Sequence, residues 1–302
     1  MTLSVIVAGT EFLLDGGATL SGTGRIYWQA EQGVGLAPLQ RLVHRAPRQH
    51  GDTDVGRRLE PREFREIWLV IADTWADMYD SRDFLLNIFK PLESIVVTFK
   101  WLLPNGKERR LDTFALGGLT MDQRVQDGPF QLDIVLDLRA DDPTIYDPVL
   151  KTAIFRTAAI SNLSFPVAFP VGFGSSIVNQ GQTINYPGSW ISFPIIKFTG
   201  PLDSPKIENT ALSPVEKLQI DASIPIGETW TIDLTPLKKT ITVDGTGVNK
   251  IGTLSDDSDL GTFRFEVDPV VVNGDNVFQV TAGGSDVNSK VELRWTERYV
   301  GL

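Results

Sequence analysis

The residues with the widest chemical options sit close together in the first fifth of the chain. His44 and His50 are its only histidines, and Asp52 and Asp54 follow directly. Two imidazoles and two carboxylates are a feasible donor set for a divalent metal. Their spacing matches no pair on one helix face, however, and Arg45 and Arg48 would stand beside the dication. A polar loop accounts for them better. A catalytic triad needs a histidine held between a nucleophile and an orienting acid, and no G-x-S-x-G turn offers the serine. The chain has no cysteine, so it contains no thiol nucleophile, thiolate zinc site or disulfide. Asp256, Asp257 and Asp259 form an acidic run without the spacing or glycine of a calcium loop, and read as a turn. Gly245, Gly247 and Gly252 lack the following helix of a dinucleotide loop. These residues assign no catalytic, metal or cofactor site, and the reading is that the chain is not an enzyme.

Charge of both signs crowds one segment. Between residues 41 and 66 stand Arg41, Arg45, Arg48, Arg57, Arg58, Arg62 and Arg65, interleaved with Asp52, Asp54, Glu60, Glu63 and Glu66. A nucleic-acid patch would need a clearer cationic excess and stacking aromatics. Two readings remain. One is a solvated loop of mixed charge. The other is a contact in which guanidinium forks meet carboxylates of a neighbouring identical subunit, the alternating signs fixing register. On the second reading Arg57, Arg58, Arg62, Asp52 and Asp54 are the candidate interface residues. Trp190, Trp230 and Trp295 raise sugar stacking as a further option, but Trp230 and Trp295 fall on the apolar side of their strands, where core packing is expected.

The elements that must position these residues read as strands. Leu132, Ile134, Leu136 and Leu138 alternate with Asp133, Asp137 and Arg139. Trp230, Ile232 and Leu234 alternate with Thr229, Thr231 and Asp233, Phe263, Phe265 and Val267 do the same, and so do Val291, Leu293 and Trp295, with Tyr299 beyond. Period two is the signature of half-buried antiparallel strands. Turn chemistry separates them at residues 15–17, 104–106, 127–129, 244–245 and 273–275. One stretch differs: Phe84, Leu85, Ile88, Phe89 and Leu92 follow three- and four-residue spacing, predicting a helix over 80–92 capped by Asp80 or Ser81. Residues 66–78 read as a strand running into the preceding loop. Two prolines and three acidic residues at 140–148 predict a boundary. The expectation is a mainly β chain with two domains, 1–148 and 149–302, the first with one helix packed on a sheet.

Net charge is −10, from 28 basic and 38 acidic residues. Residues 1–148 carry 16 basic and 22 acidic side chains, so the acidity is not confined to a tail. Such a balance argues against sequence-reading of nucleic acid and suits a surface that must not hold DNA. The first residues read as a strand rather than a signal peptide. No apolar run reaches the roughly 20 residues needed to span a bilayer.

Motifs in both halves resemble the distal tail (Dit) proteins of long-tailed, non-contractile phages. In the first half these are residues 50–56, 59–62, the strand from Phe64 to Ile71, the 80–92 helix, the 104–106 hairpin, Leu116 to Leu119, and the exit at 140–146. In the second they are the stretch from Phe165 to Gly174, residues 193–196, 199–201, 205–209, and Gly227 to Asp233. Together they cover most of the chain, in the family's order. The resemblance implies a non-enzymatic virion protein of the siphophage tail tip, assembled in the host cytoplasm. It implies that the amino-terminal domain, a β-sandwich with one helix and a β-hairpin, forms a homohexameric ring joining the tail tube protein to the tail-tip or baseplate hub protein, with DNA passing through the lumen. The carboxy-terminal domain would be a galectin-like antiparallel β-sandwich that projects outward and can carry receptor-binding proteins. Carbohydrate-binding relatives often insert an extra domain there, and this chain has none. An adhesin or carbohydrate-binding β-sandwich of the host-recognition apparatus is the alternative function. Neither cofactor nor membrane insertion is implied.

Overall fold

A computed structural model describes residues 1–47, 50–90, 96–124, 130–156, 178–236 and 238–302. The chain forms two compact units: Met1–Pro148 with Tyr299–Leu302, and Val149–Arg298. The last four residues thus belong with the amino-terminal unit, which a single cut after residue 148 does not anticipate.

The first unit is built from β1 (Thr2–Val7), β2 (Thr10–Leu13), β3 (Ala18–Ser21), β4 (Gly24–Gln32), β5 (Leu39–His44), β6 (Thr53–Leu59), β7 (Arg62–Ala72), α1 (Trp75–Ile88), β8 (Val97–Leu102), β9 (Glu108–Ala115), β10 (Thr120–Arg124), β11 (Phe130–Ala140) and β12 (Ile145–Tyr146). Its main sheet runs β2-β1-β8-β9-β11-β7-β4-β3. β9 and β11 meet at only Leu138↔Ala115 and Arg139↔Phe114, so the sheet turns a corner there and its two halves face each other. The longest ladder, β7 with β11, pairs every residue from Arg62 to Ala72. Leu132, Ile134, Leu136 and Leu138 are fully buried along it, as their alternation requires. Across the core Phe64 meets Phe99 edge-on at 5.3 Å between ring centroids. The 104–106 turn closes the β8–β9 hairpin, with Gly106 at φ 78°, a conformation that costs a side-chain-bearing residue strain.

The helix begins earlier than its apolar spacing suggests. Thr74, not Asp80 or Ser81, is the cap: its Oγ1 accepts the Asp77 N–H at 3.1 Å from an extended backbone (φ −128°, ψ 155°). Asp77 completes the box, accepting hydroxyl protons from Thr23 and Thr74, both at 2.7 Å, and these bonds hold its carboxyl below the usual range. Ser81 lies inside the helix, buried, its hydroxyl donating to the Asp77 carbonyl. Leu85, Ile88 and Phe89 do face the core, and Phe89 stacks on Trp68 at 5.5 Å. Leu92 lies outside the described residues, as do the 127–129 turn and the stretch from Phe165 to Gly174.

Among its described residues the second unit contains two sheets. The strands are β13 (Lys151–Arg156), β14 (Val178–Asn185), β15 (Ile195–Thr199), β16 (Leu202–Asn209), β17 (Glu216–Gln219), β18 (Ser223–Ile224), β19 (Thr229–Asp233), β20 (Thr240–Val243), β21 (Asp275–Gly283) and β22 (Lys290–Trp295). One sheet runs β13-β22-β15-β19-β20, the other β14-β21-β16-β17. Their inner faces share one core around Phe198, Ile207, Ile232, Phe278 and Leu293. Phe263 and Phe265 are buried as expected, yet residues 263–267 are no strand; Phe265 makes one isolated bridge to Ser192. The buried Asn276 side chain takes the place of a neighbouring strand, accepting from Glu266 N at 3.0 Å and donating to Glu266 O at 2.9 Å. The backbone is satisfied there without a ladder.

The cap assignment has a measurable consequence. Thr74→Ala should cost about 1 kcal/mol in denaturant unfolding, whereas Asp80→Ala should stay within about 0.5 kcal/mol. Equal losses would return the start of the helix to residue 80.

Candidate subunit interface

β5 and β6 form a hairpin that pairs, among the described strands, only with itself. Its register sets Leu39 against Leu59, Gln40 against Arg58 and Arg41 against Arg57, with a bulge between Leu42 and Val43. Every β5 residue is exposed, and so are most of β6. The apolar residues are exposed too: Val55 is 65% accessible, Leu39 49%, Val43 46% and Leu42 43%. A lone two-stranded ribbon is marginal in water, so this arm is costly unless something covers it.

Its charges form short local pairs. Asp54 accepts from Arg41 at 3.4 Å and lies 3.5 Å from Arg57, Asp52 pairs with Arg45 at 2.7 Å, and Arg58 with Glu60 at 3.1 Å. Both partners of each pair are about a third or more exposed, so each contributes little by itself. Arg41 and Arg57 stand directly opposite each other and share one carboxylate, a like-charge juxtaposition that a sheet pays for. Four of the five candidate residues, Asp52, Asp54, Arg57 and Arg58, lie on or at the edge of this ribbon, where only Asp54 and Arg57 pair with each other. His44 and His50 are exposed on or beside it. Among the described residues no three His, Cys, Asp or Glu side chains gather as a metal site would require. Arg48 lies outside the described residues.

Arg62 is a correction. It is fully buried, at the first position of β7, and cannot present itself to another subunit. Its guanidinium donates to four backbone carbonyls: Nε to Pro143 at 3.0 Å, Nη1 to Gly33 at 3.0 Å and Gly35 at 2.7 Å, and Nη2 to Val300 at 2.7 Å. Burial lowers its pKa, but guanidinium keeps its charge. It clamps the segment between β4 and β5 where the arm leaves the sheet. Gly33 sits at φ +93°, and a Cβ there would lie 2.7 Å from the Glu63 carbonyl, so the approach requires glycine. Arg65, next to it but facing outward, forms a bidentate pair with Asp137 at 2.7 and 3.0 Å, which lowers the Asp137 pKa. A cleft of about 390 Å³ with a mixed lining opens beside this pair, bordered by Gln32, Gly33, Glu63, Phe64 and Leu116.

The sequence reading passed over Glu31 and counted Glu66 only among the interleaved charges of residues 41–66. Glu66 is fully buried, opposite Glu31 in the β4–β7 register, and each accepts an indole N–H at 3.0 Å: Glu66 from Trp28, Glu31 from Trp101. The signal was present in β7, where inward Phe64, Trp68 and Val70 put Arg62 and Glu66 on the same face.

Elsewhere the acidic run of the second unit is engaged locally. Asp257 pairs with Lys217, whose hydrogen bond, with that of Ser255, holds its pKa down, and Asp259 accepts the Lys217 N–H at 2.9 Å. Trp230 and Trp295 are buried, at 3% and 8% exposure, and offer no stacking platform.

No family model and no curated protein matches this sequence. Among solved structures, the chain is similar to the crystal structure of the Dit protein of phage SPP1, described as a paradigm of the hub adsorption apparatus in phages infecting Gram-positive bacteria. The TM-score is 0.63 at 14% identity, over 98% of both chains. Chains of the phage P2 baseplate in its activated conformation match with TM-scores of 0.46 (with calcium; 10% identity, 100% of both chains) and 0.40 (with strontium; 10% identity, 99% of both chains). The SPP1 likeness establishes the fold alone: a mainly β chain folded like that Dit protein.

The two kinds of arginine should separate on substitution. Arg62→Lys, which cannot serve four carbonyls in a planar fork, should cost more than about 2 kcal/mol in urea unfolding. Arg57→Lys on the arm should change stability by less than about 0.5 kcal/mol. Equal effects would contradict the division into clamp and surface.

Proposed function

We propose that this chain is a structural hub of a phage tail tip, assembled from identical copies into a ring and lacking catalytic activity. The observation that carries the reading is the match of fold, over 98% of both chains, to a phage Dit protein. The exposed β5–β6 arm supports it: an apolar, mixed-charge ribbon with no partner strand among the described residues suits a contact made between copies.

In this reading the first unit forms a hexameric ring. Each arm packs on the next copy in a head-to-tail contact, which closes only if the rotation per subunit is right. Arg57, Arg58, Asp52 and Asp54 then exchange weak local pairs for desolvated intersubunit ones, which set register more than raw affinity. The ring joins the tail tube to the baseplate or tail-tip hub, and an acidic lumen lets DNA pass without binding it. The net charge of residues 1–148, from 16 basic and 22 acidic side chains, motivates that last element. The second unit, a galectin-like sandwich in this reading, faces outward and carries receptor-binding proteins.

Size-exclusion chromatography and negative-stain imaging test the arm. Arg57→Glu with Arg58→Glu should abolish rings and leave a monomer whose melting temperature matches wild type. Rings that persist unchanged in the double variant would refute the arm contact. A glycan array with strong hits from a protein that never forms rings would favour an adhesin instead.

A further inference from the structure

The base of the arm contains a chemical oddity that ring assembly does not explain. Glu31 and Glu66 face each other across β4 and β7 at the second-last paired position before the arm departs; the last is Gln32 with Arg65. Their paired positions on adjacent strands put the two side chains side by side on one face of the sheet. Trp28 donates to Glu66 Oε2 and Trp101 to Glu31 Oε2, while Glu66 Oε1 is buried and meets no donor. Two bare carboxylates on paired positions, the half-buried Glu31 and the fully buried Glu66 with an oxygen unserved, would repel each other where water cannot reach Glu66. A proton between them removes the repulsion and gives the orphan oxygen its role as an O–H donor.

Among the described residues, no cation stands free beside the pair to substitute for that proton. From β7 the nearest inward charge is Arg62, committed to its carbonyls, while Arg65 faces the other way into Asp137. From β11 the residue opposite Glu66 is Leu136. From β8 it is the Trp101 indole, and Lys100 beside it pairs with Glu11 and Glu108. From β9, Arg109, opposite Trp101, is taken up by Asp147 and the Tyr299 ring.

We propose that Glu31 and Glu66 share one proton and together form a latch at the base of the arm, closed only while that proton is held. Burial first, and the Glu31 charge second, push the Glu66 carboxyl up to about 9, and burial raises Glu31 as well. The unfolded chain releases the Glu66 proton near its ordinary value of 4.5, and the folded chain keeps it to about 9. Between those values the unfolded state binds fewer protons, so stability falls as pH rises.

Chemical unfolding of wild type and Glu66→Gln between pH 6 and 8 tests this. The wild-type unfolding constant should rise about tenfold per pH unit more steeply than that of Glu66→Gln, which keeps the shape without an ionisable group. Parallel pH profiles would overturn the latch. Glu31→Gln should shift the upper end of the sensitive window towards acid, and an unmoved window would also count against sharing. Should Glu66→Gln fail to fold, infrared spectra of wild type in heavy water decide. A protonated-carboxyl band at pH 7 that fades towards pH 10 is expected, and its absence at pH 7 overturns the proposal. None of these readouts requires a ring, so the latch and the hub reading fail separately.

Discussion

One buried cation governs what the exposed hairpin can do. Arg62 takes four backbone carbonyls from three separated parts of the chain, at residues 33 and 35, at 143 and at 300. Carbonyls of irregular segments have no ladder to satisfy them, and leaving them dry and unpaired would cost more than the bonds return. A single planar fork solves the problem for all of them. The chain on either side of the arm is thereby anchored, and the tail end of the polypeptide is drawn into the first unit.

Around that clamp, the polar interactions divide by burial. Inside stand the Arg62 fork, the Glu31–Glu66 pair with its two indole donors, and, in the second unit, the Asn276 amide serving the Glu266 backbone. Each replaces solvent for a group that has none, so each is costly to break. Outside stand the ion pairs of the arm, largely hydrated and individually weak. A rigid root bearing a loosely bound surface is what an intersubunit arm requires: the geometry is fixed in advance, and the charges remain free to exchange partners.

The sequence made the strands legible wherever burial was one-sided. β11 and β19 could be read directly, because their apolar residues have only one face to occupy. Phe263 and Phe265 were placed correctly in the core although the segment is not a strand, since alternation reports side-chain direction and not hydrogen bonding. The helix was found by Leu85, Ile88 and Phe89, but its start was misplaced because apolar spacing is silent in the first turn. The Thr74 and Asp77 box carried that information instead. Asp52, Asp54, Arg57 and Arg58 were seen as a charged group, and all four lie on or beside the arm, although only Asp54 and Arg57 pair with each other. Arg62 was grouped with them by sequence proximity, and strand phase, which sets it beside Phe64 on the inward face, separates it. No local pattern marks its four carbonyl partners, because they meet only in three dimensions.

The central claim is that the β5–β6 arm joins one copy of this chain to the next. A cryo-electron-microscopy reconstruction of the tail tip that contains it tests this most directly. The account predicts a closed ring of identical copies, with Leu39, Leu42, Val55 and the Arg57 and Arg58 guanidinium groups covered by the neighbouring copy. A ring closed by other surfaces, with the arm left in solvent, would contradict it.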